Sequence, residues 1–218
     1  MLVLFWSGWI IKNMKEDLNI KLVKFWRSRY DFSKELIEVF LKVKREDFVL
    51  EEFKEEAYSD IALPIFSEQT ISQPTTVMLM LNYLDVFKGC KVLEIGSGSG
   101  YVCALLSELG CNVVGVEVDS ALVSFSKKNL RGYKNVKIVL GDGSVGYSEK
   151  GLYDRILYSC ACPKIPEVVL KQLRVDGVLV APVGSGVQKL VRISKGKREV
   201  FGDFVFVPLK GELGFKKI

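Results

Sequence analysis

Apolar and polar positions follow two rhythms that trade places along this chain. Between residues 16 and 43 apolar side chains return every three or four positions: Leu18, Leu22, Phe25 and Trp26, then Leu36, Ile37, Phe40 and Leu41. That spacing predicts two helices, each with one buried face, broken at Tyr30-Asp31-Phe32-Ser33 with Asp31 or Ser33 capping the second. Residues 75–87 read as a third, strongly apolar helix, opened by Pro74. Short β-branched runs then take over at 92–95, 112–118, 136–140, 153–159 and 178–183. Helical spacing returns between them at 101–109, at 121–130 and from Pro163 to Leu173, and Asp176-Gly177 reads as the turn into the fifth strand. Two last strands, 188–193 and 199–209, meet at the turn Lys195-Gly196-Lys197. Strands alternating with helices and ending in a hairpin predict an α/β fold: a doubly wound, mostly parallel seven-stranded sheet preceded by helices.

Composition sharpens this picture in three places. Apolar residues make up 49% of 218 positions, enough for one sizeable core. The division expected is an apolar extension, residues 1–13, and a single domain, 14–218, whose helical part and active-site loop occupy 14–88 and whose ligand-binding core occupies 89–218. The extension is too short to span a bilayer and lacks a basic leader region. It reads as an over-extended start ahead of Met14, with a short membrane-touching anchor as the alternative. Net charge is +5, with basic residues interleaved among acidic ones, which predicts a solvated surface and no nucleic-acid partner. Five cysteines, an odd number in mostly apolar surroundings, fit reduced thiols and a cytoplasmic location. Histidine is absent, so Ser-His-Asp and Cys-His catalysis and His-ligated metals are excluded. Cys160-Ala161-Cys162 has no second cysteine pair at ligand spacing, so no metal is expected.

Candidate chemistry gathers around Val92-Leu93-Glu94-Ile95-Gly96-Ser97-Gly98-Ser99-Gly100-Tyr101. A buried strand runs into a glycine loop and then into a helix whose free N–H groups suit a polar or anionic ligand. The third glycine stands one position earlier than in the dinucleotide pattern. Glu94 is unexpected in a buried strand unless its carboxylate meets a polar partner. Glu117, at the end of the next strand, is placed to accept hydrogen bonds from ribose hydroxyls. Gly141-Asp142-Gly143 follows the third strand, on the ligand-binding edge of such sheets. The polar segment from Phe66 to Pro74 precedes the glycine-loop strand and can fold back over the site.

The loop E-x-G-x-G-x-G resembles that of methyltransferases using S-adenosyl-L-methionine (SAM). Further marks are Arg45-Glu46-Asp47-Phe48-Val49, Ala62-Leu63-Pro64-Ile65, Gln69-Thr70-Ile71-Ser72-Gln73-Pro74, Pro182-Val183-Gly184 and Phe206-Val207-Pro208-Leu209. Together these resemble the protein-L-isoaspartate (D-aspartate) O-methyltransferase family over about residues 44–213. The resemblance implies a Rossmann-like SAM-methyltransferase sheet and transfer of a methyl group from SAM to isoaspartyl residues of damaged proteins. It implies Ser72 as the active-site residue, with Thr70, Ile71, Leu63, Pro64, Ala161 and Pro163 around the substrate. It assigns Glu94, Gly96, Ser97, Gly98, Gly100, Glu117, Asp142 and Gly143 to SAM. A cytoplasmic monomer without a membrane anchor is expected. The family has Gly-x-Gly where this chain has Phe66-Ser67-Glu68. The competing expectations are a SAM-dependent methyltransferase for another acceptor and a non-catalytic SAM-binding relative.

Overall fold

The computed structural model describes residues 18–216. The apolar extension 1–13 lies outside these residues. Helix α1 covers 18–29 and α2 covers Lys34–Lys42. The Ser33 hydroxyl caps α2 by accepting from the Leu36 N–H at 3.1 Å, which leaves Asp31 out of the cap. Leu22, Val23, Trp26, Ile37 and Phe40 turn inward, whereas Phe25 and Leu41 face solvent at the edges of the apolar stripes.

A two-stranded ribbon follows, β1 (Leu63–Pro64) against β2 (Thr70–Ile71), antiparallel. Helix α3 (Pro74–Leu84) begins with proline at its first turn and ends at Asp85, which adopts a left-handed conformation. Its N-terminus is capped from a distance. The Asp60 carboxylate accepts from the Thr75 N–H at 2.9 Å and from the Thr75 hydroxyl at 2.7 Å. The Trp26 indole in turn donates to that hydroxyl at 2.7 Å, pinning α1 to α3.

The main sheet contains β3 (Lys91–Ile95), β4 (Asn112–Glu117), β5 (Val136–Leu140), β6 (Tyr153–Tyr158), β7 (Leu173–Val183), β8 (Gln188–Ser194) and β9 (Lys197–Phe204). Their order across the sheet is β5-β4-β3-β6-β7-β8-β9. The first five run parallel, and β8 and β9 close the sheet antiparallel. The expected seven-stranded, mostly parallel sheet is therefore present. The parallel strands are linked by α4 (Tyr101–Glu108), α5 (Ser120–Asn129) and the short α6 (Glu167–Leu170). Val92, Leu93 and Ile95 are wholly buried because both faces of β3 are covered. Each such side chain contributes about 1.5–3 kcal/mol of burial. The chain leaves β3 toward one edge of the sheet and returns at β6 to build the other. The carboxyl ends of β3 and β6 thus flank the switch point, where sheets of this kind bind ligands.

Two expected boundaries are corrected. The helix expected from Pro163 to Leu173 is only one turn, and residue 173 already belongs to β7. Gln172 stops the helix. Its carbonyl accepts from the Tyr153 N–H at 2.8 Å, and its side chain accepts from the Tyr147 N–H and donates to the Val145 carbonyl. Asp176-Gly177 accordingly lies within β7, beside an irregularity in its pairing with β6. The last strand stops at Phe204, not Leu209. Beyond it the chain leaves the hairpin, and the Phe206 N–H donates to the Gln188 side chain at 2.8 Å. The Lys195-Gly196 turn joins β8 to β9 with both residues at positive φ, the twist that a tight hairpin requires.

Candidate active site

The glycine loop closes over the carboxyl end of β3. Gly96, Gly98 and Gly100 all have positive φ, and a Cβ on Gly100 would stand 2.7 Å from Leu130. That glycine seats α4 against the end of α5, while Gly96 and Gly98 line an open cleft. Glu117, at the end of β4, faces the same cleft. One of its oxygens accepts from the Gly98 N–H at 3.0 Å, and the other from the N–H groups of Val118 and Asp119 at 2.8 and 3.0 Å. Three backbone donors thus hold an almost buried carboxylate in one orientation, with acceptor capacity left on it.

Apolar walls come from Ile95, Val116, Leu122 and Leu209, and the far side from Gly143, Ser159, Cys160 and Pro208. A Cβ on Gly143 would come within 2.7 Å of Ile95, so only glycine lets the chain pass this close to β3. Asp119 caps α5 at the rim, and backbone hydrogen bonds, that from Leu122 first, lower its pKa. Oriented carboxylate, glycine cradle and apolar walls fit SAM, whose ribose needs acceptors and whose adenine needs apolar contact.

Glu94 lies beneath this cleft and does not line it. Its carboxylate is 1% exposed and accepts from the Cys103 thiol and the Ser159 hydroxyl, each at 2.7 Å. Burial is the main reason that its pKa is raised to about 7. Glu94 therefore reaches the cleft through Ser159 and ties the ends of β3 and β6 to α4. Ser97 is buried in the loop, and its hydroxyl has no partner among the described residues. Asp142 also stands behind the wall. Its carboxylate accepts from the N–H groups of Ser144 and Glu212, both at 2.8 Å, and so fastens the C-terminal segment over the site.

A second cavity adjoins the first. Ala62, Thr70, Ser72, Gln73, Thr76 and Phe204 line it, with residues 205–207 of the C-terminal strap along one side. Thr70 and Val207 line both cavities and so form the shared wall. Of the expected substrate residues, Ser72 and Thr70 face this space. Leu63, Ile71 and Ala161 are buried supports, and Pro64 and Pro163 are exposed outside it. Ala161 instead holds the strap: its N–H donates to the Val207 carbonyl at 2.8 Å, and its carbonyl accepts from Leu209 at 2.7 Å.

Arg45 is a buried charge beside the site to which sequence reasoning gave no role. It is completely buried, donates to the Ala57 carbonyl at 2.7 Å and to the Ser72 carbonyl at 2.8 Å, and lies over the Tyr101 ring at 5.1 Å. Desolvation lowers its pKa to about 10, so it remains cationic at neutral pH. The guanidinium thus links the Ser72 loop to the first residue of α4. Flanked by Lys44, Glu46 and Asp47, it reads in sequence like a solvated surface residue. The segment Phe66-Ser67-Glu68 carries another surprise. Ser67 and Glu68 hold φ of 61° and 58°, so the backbone keeps a left-handed bend without glycine. Phe66 packs edge-on against Phe125 of α5, 5.1 Å between ring centres, and anchors that bend beside the cleft.

Fold and cleft together define a SAM-dependent methyltransferase with a Rossmann-like sheet. The family model described as protein-L-isoaspartate(D-aspartate) O-methyltransferase matches residues 17–213. The chain belongs to that family. Among its relatives, the protein-L-isoaspartate O-methyltransferase of Methanosarcina mazei is 45% identical over 193 residues, covering 84% of this chain and 79% of its own. That of Cytophaga hutchinsonii is 42% identical over 210 residues, covering 93% and 95%. A solved protein-L-isoaspartate O-methyltransferase superposes with a TM-score of 0.81 at 29% identity, covering 91% of this chain and 67% of that one. A Plasmodium falciparum structure described as a putative protein-L-isoaspartate O-methyltransferase, in complex with S-adenosyl-L-homocysteine, gives 0.76 at 26% identity, covering 89% and 97%.

Proposed function

We propose that this chain repairs damaged proteins by methylating the free α-carboxylate of L-isoaspartyl residues, and the side-chain carboxylate of D-aspartyl residues, with SAM as donor. The observation that carries this reading is the junction of the two spaces: Thr70 and Val207 line both the cleft whose residues fit SAM and the adjoining cavity that Ser72 lines. When bound, SAM supplies a methyl group activated on a sulfonium. Glu117 accepts from the ribose hydroxyls, and the backbone of Gly96, Gly98 and Gly143 packs against the cofactor. The Ser72 hydroxyl donates to the acceptor carboxylate and orients it, with Thr70 beside it. A solvated peptide α-carboxyl group loses its proton at roughly pH 3.3–3.7, so it arrives ionised and no general base is needed. A chain without histidine suits such an acceptor better than a phenol or amine, which would require deprotonation. Strap and Ser72 loop keep water from the reacting pair, and exclusion of water favours neutralisation between carboxylate and sulfonium.

Five free, buried cysteines support a cytoplasmic setting, and we take the working form to be a monomer. No helix among the described residues is long and apolar enough to cross a membrane. The test is transfer of labelled methyl from SAM to an isoaspartyl peptide and to its aspartyl twin. Label on the isoaspartyl peptide alone is expected. Label on neither, with transfer to another acceptor, overturns the substrate assignment.

A further inference from the structure

Cys90 and Cys111 lie on the floor of the sheet, outside everything the methyl transfer uses. Cys90 immediately precedes β3 and Cys111 immediately precedes β4. The Gly89 N–H donates to the Gly110 carbonyl, and the Asn112 N–H to the Cys90 carbonyl, each at 2.8 Å. The two cysteines are therefore continuations of adjacent parallel strands, one step before the pair Lys91 and Asn112. Their sulfurs are 3.2 Å apart, and both residues are fully buried. The remaining three thiols are occupied differently: Cys103 faces the Glu94 carboxylate, Cys160 the Ile95 carbonyl and Cys162 the Pro182 carbonyl.

A disulfide has sulfurs about 2.05 Å apart and Cα atoms about 4.4–6.8 Å apart, a span that neighbouring strands about 4.8 Å apart satisfy. Closing the gap between Cys90 and Cys111 takes small side-chain rotations and no change of strand register. The hydrogen bond between the two thiols lowers the pKa of Cys90 and raises that of Cys111, which marks Cys90 as the thiol that ionises first. Arg155 favours the Cys90 thiolate from the neighbouring strand, and Asp154 opposes it. The turn at residues 87–89 is exposed, and its Phe87 carbonyl lies 4.0 Å from the Cys111 sulfur, so opening of that turn is the route by which a small reagent would reach the buried pair.

We propose that Cys90 and Cys111 form an oxidation-dependent disulfide clamp across the base of β3 and β4. The oxidant is a hydroperoxide. The Cys90 thiolate attacks the peroxide, the O–O bond breaks, and Cys90 becomes a sulfenic acid with release of hydroxide. Cys111 then attacks the Cys90 sulfur, the S–O bond breaks, and water leaves after taking up the thiol proton. Two thiols and one hydrogen peroxide thus become one disulfide and two waters. The bond lies at the end of the strands opposite Gly96 and Glu117, so it steadies the folded chain without touching the cleft.

The test treats the full chain with hydrogen peroxide, blocks remaining thiols under denaturing conditions and maps the peptides by mass. One linked Cys90–Cys111 peptide is expected, lighter by two hydrogens than the sum of its parts. The oxidised protein should melt about 6–12 °C higher than the reduced protein, with methyl transfer unchanged within twofold, and reductant should reverse the shift. Cys90→Ser and Cys111→Ala should each abolish both the link and the shift. Full alkylation of both residues after oxidation, a sulfinic acid at Cys90 without a link, or pairing with Cys103, Cys160 or Cys162 would overturn the proposal. Peptide mapping of the unsubstituted chain decides the matter even where a variant folds poorly.

Discussion

Glu94→Gln offers a sharp test of how the glycine loop is supported. The carboxylate is buried under the cleft, with the Cys103 thiol and the Ser159 hydroxyl as its side-chain donors among the described residues. Desolvation dominates those hydrogen bonds and raises its pKa from 4.5 to about 7. The folded protein then holds a proton that the unfolded chain has already lost between those two values. Stability from this group is fully present below about pH 4.5, declines as pH rises to about 7, and is level beyond. At 1.36 kcal/mol per pKa unit, the shift corresponds to about 3 kcal/mol lost across that window. Glutamine cannot ionise and keeps most of the shape, although its amide replaces one acceptor and costs about 1 kcal/mol of hydrogen bonding. The variant should therefore match or trail wild type near pH 5 and exceed it by about 1–3 kcal/mol at pH 8. Urea unfolding at pH steps from 5 to 8 reads this directly, with an m-value of about 2–3 kcal/mol/M. Asp119 and Asp142 have lowered pKa values and tilt the curve the other way in both proteins, so the difference between the two curves isolates Glu94. Parallel curves would mean that Glu94 is ionised throughout and that burial does not govern it.

Three further substitutions separate the cleft, the acceptor cavity and their connection. Ser72→Ala should lower methyl transfer about a hundredfold while SAM affinity, measured by calorimetry, stays within about twofold; equal loss of both would move Ser72 to the cofactor side. Glu117→Ala should weaken SAM binding about 10- to 100-fold through loss of charge-assisted hydrogen bonds, and unchanged binding would remove it from the ribose role. Arg45→Lys should cost about 1–3 kcal/mol in thermal unfolding, because one ammonium cannot replace a fork shared between the Ala57 and Ser72 carbonyls. It should also reduce turnover more than SAM affinity, whereas a stability loss with unchanged turnover would leave Arg45 a purely structural part.

The central sheet was legible because buried parallel strands leave an unmistakable pattern, apolar on both faces. Strand β4, buried along all but its first residue, ends one residue before its expected limit, whereas the edge strand β5, with Lys137 and Leu140 exposed, was legible at 136–140 from its β-branched run alone. Elements decided by distant partners were not legible. The cap of α3 comes from Asp60, fifteen positions away, and the stop of α6 from Gln172 joining the edge of β6. Pro208, which has no N–H to donate, sits where the final strand was expected to continue, and the chain there crosses to Ala161 instead. In the site, Gly96, Gly98, Gly143 and Glu117 line the cleft where the sequence pointed, whereas the expected Glu94 and Asp142 stand behind it. Arg45 stayed hidden because burial of a charged residue depends on which carbonyls converge on it. The left-handed bend at Ser67 and Glu68 stayed hidden for a related reason: neither residue prefers it, and the contact of Phe66 with Phe125 helps to hold it.

The repair reading stands or falls on the fate of one peptide. Incubate the chain with SAM and an isoaspartyl peptide, run its aspartyl twin alongside, and separate ester, succinimide and aspartyl products over time. A methyl ester on the isoaspartyl α-carboxyl group, followed by succinimide and a growing aspartyl fraction, with the twin untouched, is the predicted result. Equal methylation of both peptides, or an isoaspartyl peptide that persists unmethylated, would contradict it.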